Sequence, residues 1–261
     1  MPVADPAADL ALLHEAALAA GAIARRHFGN GPETWDKGDG QGPVTEADLE
    51  IDAMLRARLL SARPGYGWLS EETADGPERL AHDALFIVDP IDGTRAFIDG
   101  SRAFSHSLAV VRGGVPVAAA VHLPMLESTY LAAAGAGATL NGAPIGPTGR
   151  TDLQGATVLG AKSNFADARW SGGCPPVKPC FRSSLAYRLA LVAEGRFDAM
   201  ITLRMAWEWD IAAGALIVSE AGGRVSTRRG GALRFNNPHP QLDGVVAGTP
   251  AVVGDLLDRL L

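Results

Sequence analysis

Apolar residues recur at helical spacing over Leu10 to Phe28, with Leu10, Leu13, Ala17, Ala20 and Ile23 on or near one face. Gly29-Asn30-Gly31-Pro32 ends the run, so the pattern predicts one helix. A polar, Gly-rich loop is expected from Asp36 to Pro43, and Thr45 then opens a second helix to about Leu60, closed by Arg63-Pro64-Gly65. Ala84 to Val88 is a short apolar run, expected to be a buried strand, and it leads straight into Asp89. From Phe104 the rhythm changes to that of a β-meander. Ser107 to Val111, a turn at Gly113-Gly114, Val115 to Val121, Tyr130 to Ala134 and a turn at Asn141-Gly142 follow one another. Two helices and one antiparallel sheet make this half α+β.

The second half alternates strands and helices, the α/β signature. Ala156 to Ala161 predicts a strand, and Ser183 to Glu194 a helix capped by Ser183 and stopped by Gly195. Asp198 to Leu203 predicts a strand and Asp210 to Ala221 a helix stopped by Gly222-Gly223. Val245 to Ala247 and a last helix to Leu261 finish the chain. A soft boundary near Leu126 and Glu127 divides residues 1–126, which hold most of the candidate metal ligands, from residues 127–261.

Composition narrows the function. The 261 residues, 47% hydrophobic and 20% charged, suffice for a large buried core. The formal net charge of −6 lacks the footprint of a nucleic-acid or anionic-membrane binder. A phosphorylated ligand would need metal cations to attract it. The only cysteines, Cys174 and Cys180, are expected to be ordinary thiols, because no Cys or His at zinc-site spacing accompanies them. Met1 to Leu13 carries Asp5 and Asp9 instead of a basic region before an apolar one, unlike a signal peptide. Apolar stretches such as Val115 to Val121 are too short to span a bilayer. The expectation is a soluble cytoplasmic protein.

The candidate chemistry centres on Asp89-Pro90-Ile91-Asp92-Gly93-Thr94. Asp89 follows an apolar strand, where a side chain reaches a crevice. Pro90 fixes the backbone, Ile91 offers a carbonyl, and Gly93 lets backbone amides approach an anion. Carboxylates, a carbonyl and amides this close suit Mg²⁺ bridged to phosphate. A β-turn would account for the hexapeptide alone, since Asp-Pro and Asp-Gly are turn dipeptides. Other acidic groups stand in comparable contexts. Ser70-Glu71-Glu72-Thr73 follows an apolar stretch, as a solvated loop also could. Thr45-Glu46-Ala47-Asp48 has capping-box form, which is compatible with Asp48 assisting a site. Asp210 follows two tryptophans at a helix start, where an N-cap is the plainer role.

Together these runs resemble the inositol monophosphatase family. Val88 to Thr94 looks like its central motif, Pro43 to Asp48 its first, and Ser70-Glu71-Glu72 its glutamate motif. Trp209 to Gly214 with Glu220-Ala221-Gly222-Gly223 resembles its C-terminal signature, so the likeness spans about Lys37 to Gly223. The resemblance implies a layered α-β-α-β-α sandwich, a homodimer, and two to three Mg²⁺ ions with sensitivity to lithium. Glu71, Asp89 and the Ile91 carbonyl would hold the first ion, and Asp89, Asp92 and Asp210 the second. A looser third would lean on Glu71. Thr94, with Thr45 and Asp48, would orient and deprotonate the attacking water, and the Gly93 and Thr94 amides would bind phosphate. Haloacid-dehalogenase-type phosphatases separate two aspartates by one residue, whereas Asp89 and Asp92 are separated by two. A silent, ligand-binding relative would have lost a ligand, yet Glu71, Asp89, Asp92, Thr94 and Asp210 are all present.

For substrate, the resemblance points two ways. Inositol monophosphatases proper place a ring-binding glutamate seven residues before the Trp-Asp aspartate, where this chain has Leu203. Leucine accepts no hydroxyl hydrogen bond. Glu208-Trp209-Asp210, Ser183-Ser184-Leu185 and Ala161-Lys162-Ser163 resemble the bacterial 3'(2'),5'-bisphosphate nucleotidases, with Lys162, Arg182 and Arg204 available to a second phosphate. The substrate is therefore expected to be a small phosphorylated metabolite, leaning to adenosine 3',5'-bisphosphate, with inositol 1-phosphate and histidinol phosphate as alternatives.

Overall fold

A computed structural model describes residues 5–38 and 42–261. The first half comprises α1 (Pro6–His27), β1 (Thr34–Asp36), β2 (Pro43–Thr45), α2 (Glu46–Ala62), β3 (Gly67–Ser70), β4 (Ala84–Asp92), α3 (Thr94–Ile98), β5 (Ser105–Arg112), β6 (Val115–Leu123), β7 (Ser128–Ala133), β8 (Ala138–Leu140) and β9 (Ala143–Pro144). The second comprises β10 (Thr157–Leu159), β11 (Lys178–Cys180), α4 (Leu185–Ala193), β12 (Ala199–Thr202), β13 (Ala206–Trp207), α5 (Glu208–Glu220), β14 (Arg224–Ser226), β15 (Gln241–Leu242), β16 (Val245–Gly248) and α6 (Pro250–Arg259).

Strands β3 to β9 form one seven-stranded sheet in chain order, parallel only between β3 and β4. A five-stranded sheet has the order β11-β10-β12-β16-β14 and is mixed, because β16 runs antiparallel to both neighbours. Helices α1 and α2 cover one face of the first sheet, α4 and α5 lie between the sheets, and α6 packs on the second. This is the α-β-α-β-α order expected. The first sheet runs on to Pro144, past the change of character near Leu126, where a short 3₁₀ turn joins β6 to β7.

Local differences have clear causes. The hexapeptide is not a turn: β4 runs through Asp92 before Gly93 turns the chain at φ 102°. The polar segment from Asp36 is partly a ribbon, since β1 pairs with β2, while residues 39–41 lie outside the described residues. Ser184, not Ser183, caps α4 by accepting from the Tyr187 amide, and α5 begins at Glu208, two residues before Asp210. Both shifts matter for the site. By length and composition α1 could span a membrane, contrary to the expectation that every apolar run is too short. Its face of Leu13, Ala16, Ala17 and Ala20 is instead buried against β6 and α2. Cys174 and Cys180 are free thiols.

The central helix layer is close-packed. A Cβ added at Gly214 of α5 would stand 2.5 Å from Leu189 Cδ1 and 2.6 Å from Leu189 Cβ of α4. A Cβ cannot swing aside by changing rotamer, so the helices would have to part. Gly214→Ala is expected to destabilise the fold by about 1–3 kcal/mol, the usual cost of overpacking. Urea unfolding checks this, and an unchanged midpoint would show that the layer is loose.

Candidate active site

Strand β4 delivers the central carboxylates. Every residue from Ala84 to Asp92 is buried, and such an apolar strand ends where the flanking helices leave a crevice. Asp89, Asp92 and Asp210 each offer an oxygen to a cluster whose ligand atoms lie within 4.8 Å of one another. Asp210 reaches it because it sits in the first turn of α5, which Ser107 Oγ ties to β5 by donating to the Trp209 carbonyl at 2.9 Å. Its expected N-cap role falls to Trp207, which makes no side-chain cap bond.

The carboxylates are held differently. Asp92 accepts from Ser184 Oγ at 2.7 Å, the Ala186 amide at 2.7 Å and the Leu185 amide at 3.2 Å, so it closes the N-terminus of α4. Among the described residues no N–H or hydroxyl reaches either oxygen of Asp89, although Asp210 is close enough to share a proton with it. Burial, then the charges of Glu71, Asp92 and Asp210, push the Asp89 carboxyl well above the usual carboxylate range. Burial and the charge of Asp92 do the same to Asp210. Asp92 is raised less, because burial is opposed by the α4 donors. A buried carboxylate without donors is costly, and Asp89 with two further carboxyls this close requires a proton or a cation. Their all-oxygen, acidic donor set suits Mg²⁺.

Glu71 stands beside the cluster. Its amide donates to the Val88 carbonyl at 3.3 Å, which extends the β3–β4 ladder to the residue before Asp89. Its side chain is held by Lys37 Nζ at 2.8 Å, and the same ammonium meets Glu72 at 2.6 Å. Burial alone would lower the Lys37 pKa, but the two glutamates raise it. Burial and Glu71 push Glu72 up to about 7, against the pull of Lys37.

A second chain of contacts starts at α2. Thr45 and Asp48 form a complete capping box, as their spacing predicts. The Asp48 carboxylate accepts from the Thr45 amide at 2.9 Å and from Thr94 Oγ1 at 3.3 Å, and Thr94 Oγ1 also reaches the Ile91 carbonyl at 3.1 Å. Burial raises Asp48 to about 6, Thr45 opposing. Thr45, Asp48, Thr94 and Ile91 are thus brought together.

Two cavities flank the cluster. One of about 580 Å³ is lined by Lys37, Glu71, Glu72, Trp207, Trp209 and His239. The other, about 700 Å³, runs from Gly93 to Ser183 and gathers Arg95, Arg169, Arg182, Arg188 and Arg204. Ser183 donates to the Ala103 carbonyl at 2.6 Å, so its hydroxyl fastens the loop. Lys162 lies outside that cavity, lining an adjoining apolar hollow with Phe165 and Phe181. Leu203 is buried, while its neighbours Thr202 and Arg204 face the arginine cavity.

Sequence reasoning missed several participants. Lys37 was overlooked as a single basic residue before a Gly-rich segment. Asp52, one helical turn after Asp48, accepts from Ser70 at 2.5 Å and Thr73 at 2.7 Å and fastens the glutamate loop to α2. The i, i+4 pairing of two acids on a buried helix face was its signal. The role of Ser184 left none, since its partner Asp92 is 92 positions away in sequence.

The sequence model of the inositol monophosphatase family matches residues 5–257. An inositol-1-monophosphatase of Mesorhizobium japonicum is 34% identical, the match covering 95% of this chain and 94% of that one. A 3'(2'),5'-bisphosphate nucleotidase CysQ of Aggregatibacter actinomycetemcomitans is 33% identical over 69% of this chain and 70% of its own. Among solved structures, an IMPase of Thermotoga maritima superposes with a TM-score of 0.80 at 28% identity, covering 96% of this chain and 94% of that one. The extragenic suppressor protein SuhB of Bartonella henselae gives 0.80 at 27%, covering 96% and 97%.

The raised carboxyls set a pH dependence. A carboxyl with a higher pKa in the folded than in the unfolded state stabilises the fold below the unfolded value, about 4, and loses that contribution as pH rises through the folded value. With Asp48 near 6, Glu72 near 7 and Asp89 and Asp210 also raised, these carboxyls should withdraw stability from metal-stripped protein from about pH 4 to pH 7 and beyond, against the opposite contribution of the buried His106 and His122, which burial lowers to about 3 and about 4. In chelator, the unfolding temperature of the unaltered protein should therefore fall relative to that of Asp89→Asn over this range. Mg²⁺ should restore more at pH 7.5 than at pH 5. An identical slope in the variant would disprove the cluster's part in it.

Proposed function

The chain belongs to the inositol monophosphatase family, and we propose that this magnesium-dependent phosphoric monoester hydrolase acts on a small phosphate ester carrying a second anionic group, with adenosine 3',5'-bisphosphate favoured. The five guanidinium groups in the cavity that begins at Gly93 carry this reading. The hydroxyl hydrogens of an inositol ring need acceptors, which guanidinium groups do not supply, and the one carboxylate lining this cavity is Asp99. The buried Leu203 supports the same choice.

When bound, Mg²⁺ neutralises phosphate charge and lowers the pKa of a coordinated water. The protein's residues supply the rest of the proposed reaction. Asp89, Asp92 and Asp210 present oxygens from β4 and α5, and Glu71 and the Ile91 carbonyl add donors beside them. Two ions, with a looser third at Glu71, match this number of donors. Thr94 Oγ1 is placed to orient the attacking water, and Asp48, steadied by Thr45, to accept a proton through that hydroxyl. The Gly93 and Thr94 amides would hold the transferred phosphate. Arg204 and Arg188 would meet the distal anion, with Ser183 shaping the loop and Lys162 at the outer rim. A cytoplasmic homodimer is the working form proposed from the resemblance.

Asp89→Asn removes the bridging charge and keeps the volume. Turnover should be nearly abolished with the fold retained, as EDTA should abolish it in the unaltered protein. Wild-type-like rates in either case refute the assignment.

Substrate choice is tested by kcat/KM for adenosine 3',5'-bisphosphate, inositol 1-phosphate, histidinol phosphate and fructose 1,6-bisphosphate. The nucleotide should lead. Arg204→Ala should raise its KM by about 10-fold or more, the equivalent of one charge-assisted hydrogen bond, while affecting singly phosphorylated esters much less. A clear preference for inositol 1-phosphate, which the Mesorhizobium relative's name favours, would overturn the nucleotide reading.

A further inference from the structure

Asp89 and Asp92 are three residues apart, and in an unbroken strand such positions point to opposite faces. Here they do not. Asp89 pairs with Ser107 and Asp92 with Ser105, so Pro90 and Ile91 of β4 lie opposite the single residue His106 of β5. Two residues against one is a β-bulge, and it inverts the alternation of side chains. The packing records the inversion: Phe86, Val88 and then Ile91 all enter the core under α1 and α2. Asp89 and Asp92 therefore share the opposite face, toward α4 and α5. Without the bulge, one of the two carboxylates would leave the cluster.

His106 meets the bulge from behind. It is fully buried, and its Nδ1 lies 2.5 Å from the Pro90 carbonyl oxygen. A carbonyl only accepts, so the proton belongs on Nδ1 and Nε2 is bare. That Nε2 has no partner among the described residues, and the ring lies beside a second buried histidine, His122, its cross-strand neighbour, with ring centroids 6.1 Å apart. His122 is fixed in turn, with Nδ1 2.9 Å from Thr129 Oγ1. Helix α1 closes over it at Gly21, where an added Cβ would stand 2.6 Å from His122 Nε2. Neither histidine lines the arginine or tryptophan cavity. A buried polar group with a bare nitrogen is costly, and stability alone would be better served by an apolar side chain on this face.

We propose that His106 is a positioning residue: by donating to the Pro90 carbonyl from the back of the sheet, it holds the bulge that aims Asp89 and Asp92 at the same cation. It acts through the backbone and touches neither substrate nor metal. The inference rests on the metal-binding reading of the aspartates and not on which ester is hydrolysed.

Two variants and one spectrum test it. His106→Leu fills similar space without a donor, and His106→Asn places an amide nitrogen where Nδ1 stood. Mg²⁺ binding by calorimetry should weaken about 10-fold or more in the Leu variant, as when a partner behind a metal ligand is removed, and recover largely in the Asn variant. The Mg²⁺ concentration for half-maximal rate should shift likewise, by more than the substrate KM at saturating Mg²⁺. A folded Leu variant that binds Mg²⁺ within twofold of the original, or an Asn variant no better than Leu, would overturn the proposal. Should the Leu variant not fold, ¹⁵N spectra of the unaltered protein decide. An Nδ1–H tautomer at His106 that responds to Mg²⁺ is expected, and an Nε2–H tautomer would overturn it. Calorimetry needs no substrate, so a failed substrate assignment cannot be mistaken for a failure here.

Discussion

Mutual repulsion among buried carboxylates is the constraint around which this molecule is arranged. Two unit charges about 4 Å apart repel by roughly 4 kcal/mol even at an effective dielectric constant of 20, and here Asp89, Asp92 and Asp210 crowd within 4.8 Å with Glu71 alongside. The fold answers this unevenly. Asp92 is given three donors from the start of α4, and Asp210 is tethered through the first turn of α5. Asp89 receives nothing. Asp89 is thus the carboxyl that most needs a proton or a cation, with two further acids close enough to share it.

Rigidity is needed to keep such a cluster from relaxing, and the layers supply it. Sheet one fixes Asp89 and Asp92, and the α4–α5 layer fixes Asp210 and the cap on Asp92. These two layers are joined within one apolar core that includes Leu85, Ile87, Leu189 and Ile217. The opposite face carries α2, whose capping box serves local stability and, through Asp48, the Thr94 hydroxyl. A single device thus works on two levels: an ordinary helix start also holds the Thr94 hydroxyl, because β4 brings Thr94 within reach of Asp48.

How much of this was legible in the sequence depends on the range of each interaction. The capping box, the strand before Asp89 and the helix stops at Gly195 and Gly222 are local, and their spacing sufficed. The same is true of the four motifs, each confined to a few adjacent residues. By contrast, Ser184 meets Asp92 across 92 positions, and Ser183 looked equally able to cap α4. The hexapeptide was ambiguous because Asp-Pro and Asp-Gly favour turns, while its strand character comes from pairing with Ser105 and Ser107. The bulge could be inferred only once two carboxylates of odd spacing were required on one face. Lys37 was invisible for a different reason: nothing local distinguishes a lysine that neutralises Glu71 and Glu72 from a solvated one.

Charge distribution separates chemistry from selectivity. The protein carries a net charge of −6, a field that would repel phosphorylated molecules at long range. Screening limits that repulsion, since charges beyond about 8–10 Å interact little at physiological salt. Beside Gly93 the five arginines of the second cavity oppose that field locally, Arg188 acting on Asp92 and Asp210 and Arg204 on Asp210. Arg188 is steadied there by donating to the Arg182 carbonyl at 2.5 Å and lying over the Phe181 ring at 4.6 Å. Glu71, Asp89 and Asp92 come from the ends of β3 and β4 in the first half, whereas most of the guanidinium groups come from loops and helices of the second. The two are joined at the start of α4, where Ser184, Leu185 and Ala186 donate to Asp92 between Arg182 and Arg188. The acidic motif is local to one strand and could be read there, while the arginine cavity is assembled from residues far apart in sequence and could not.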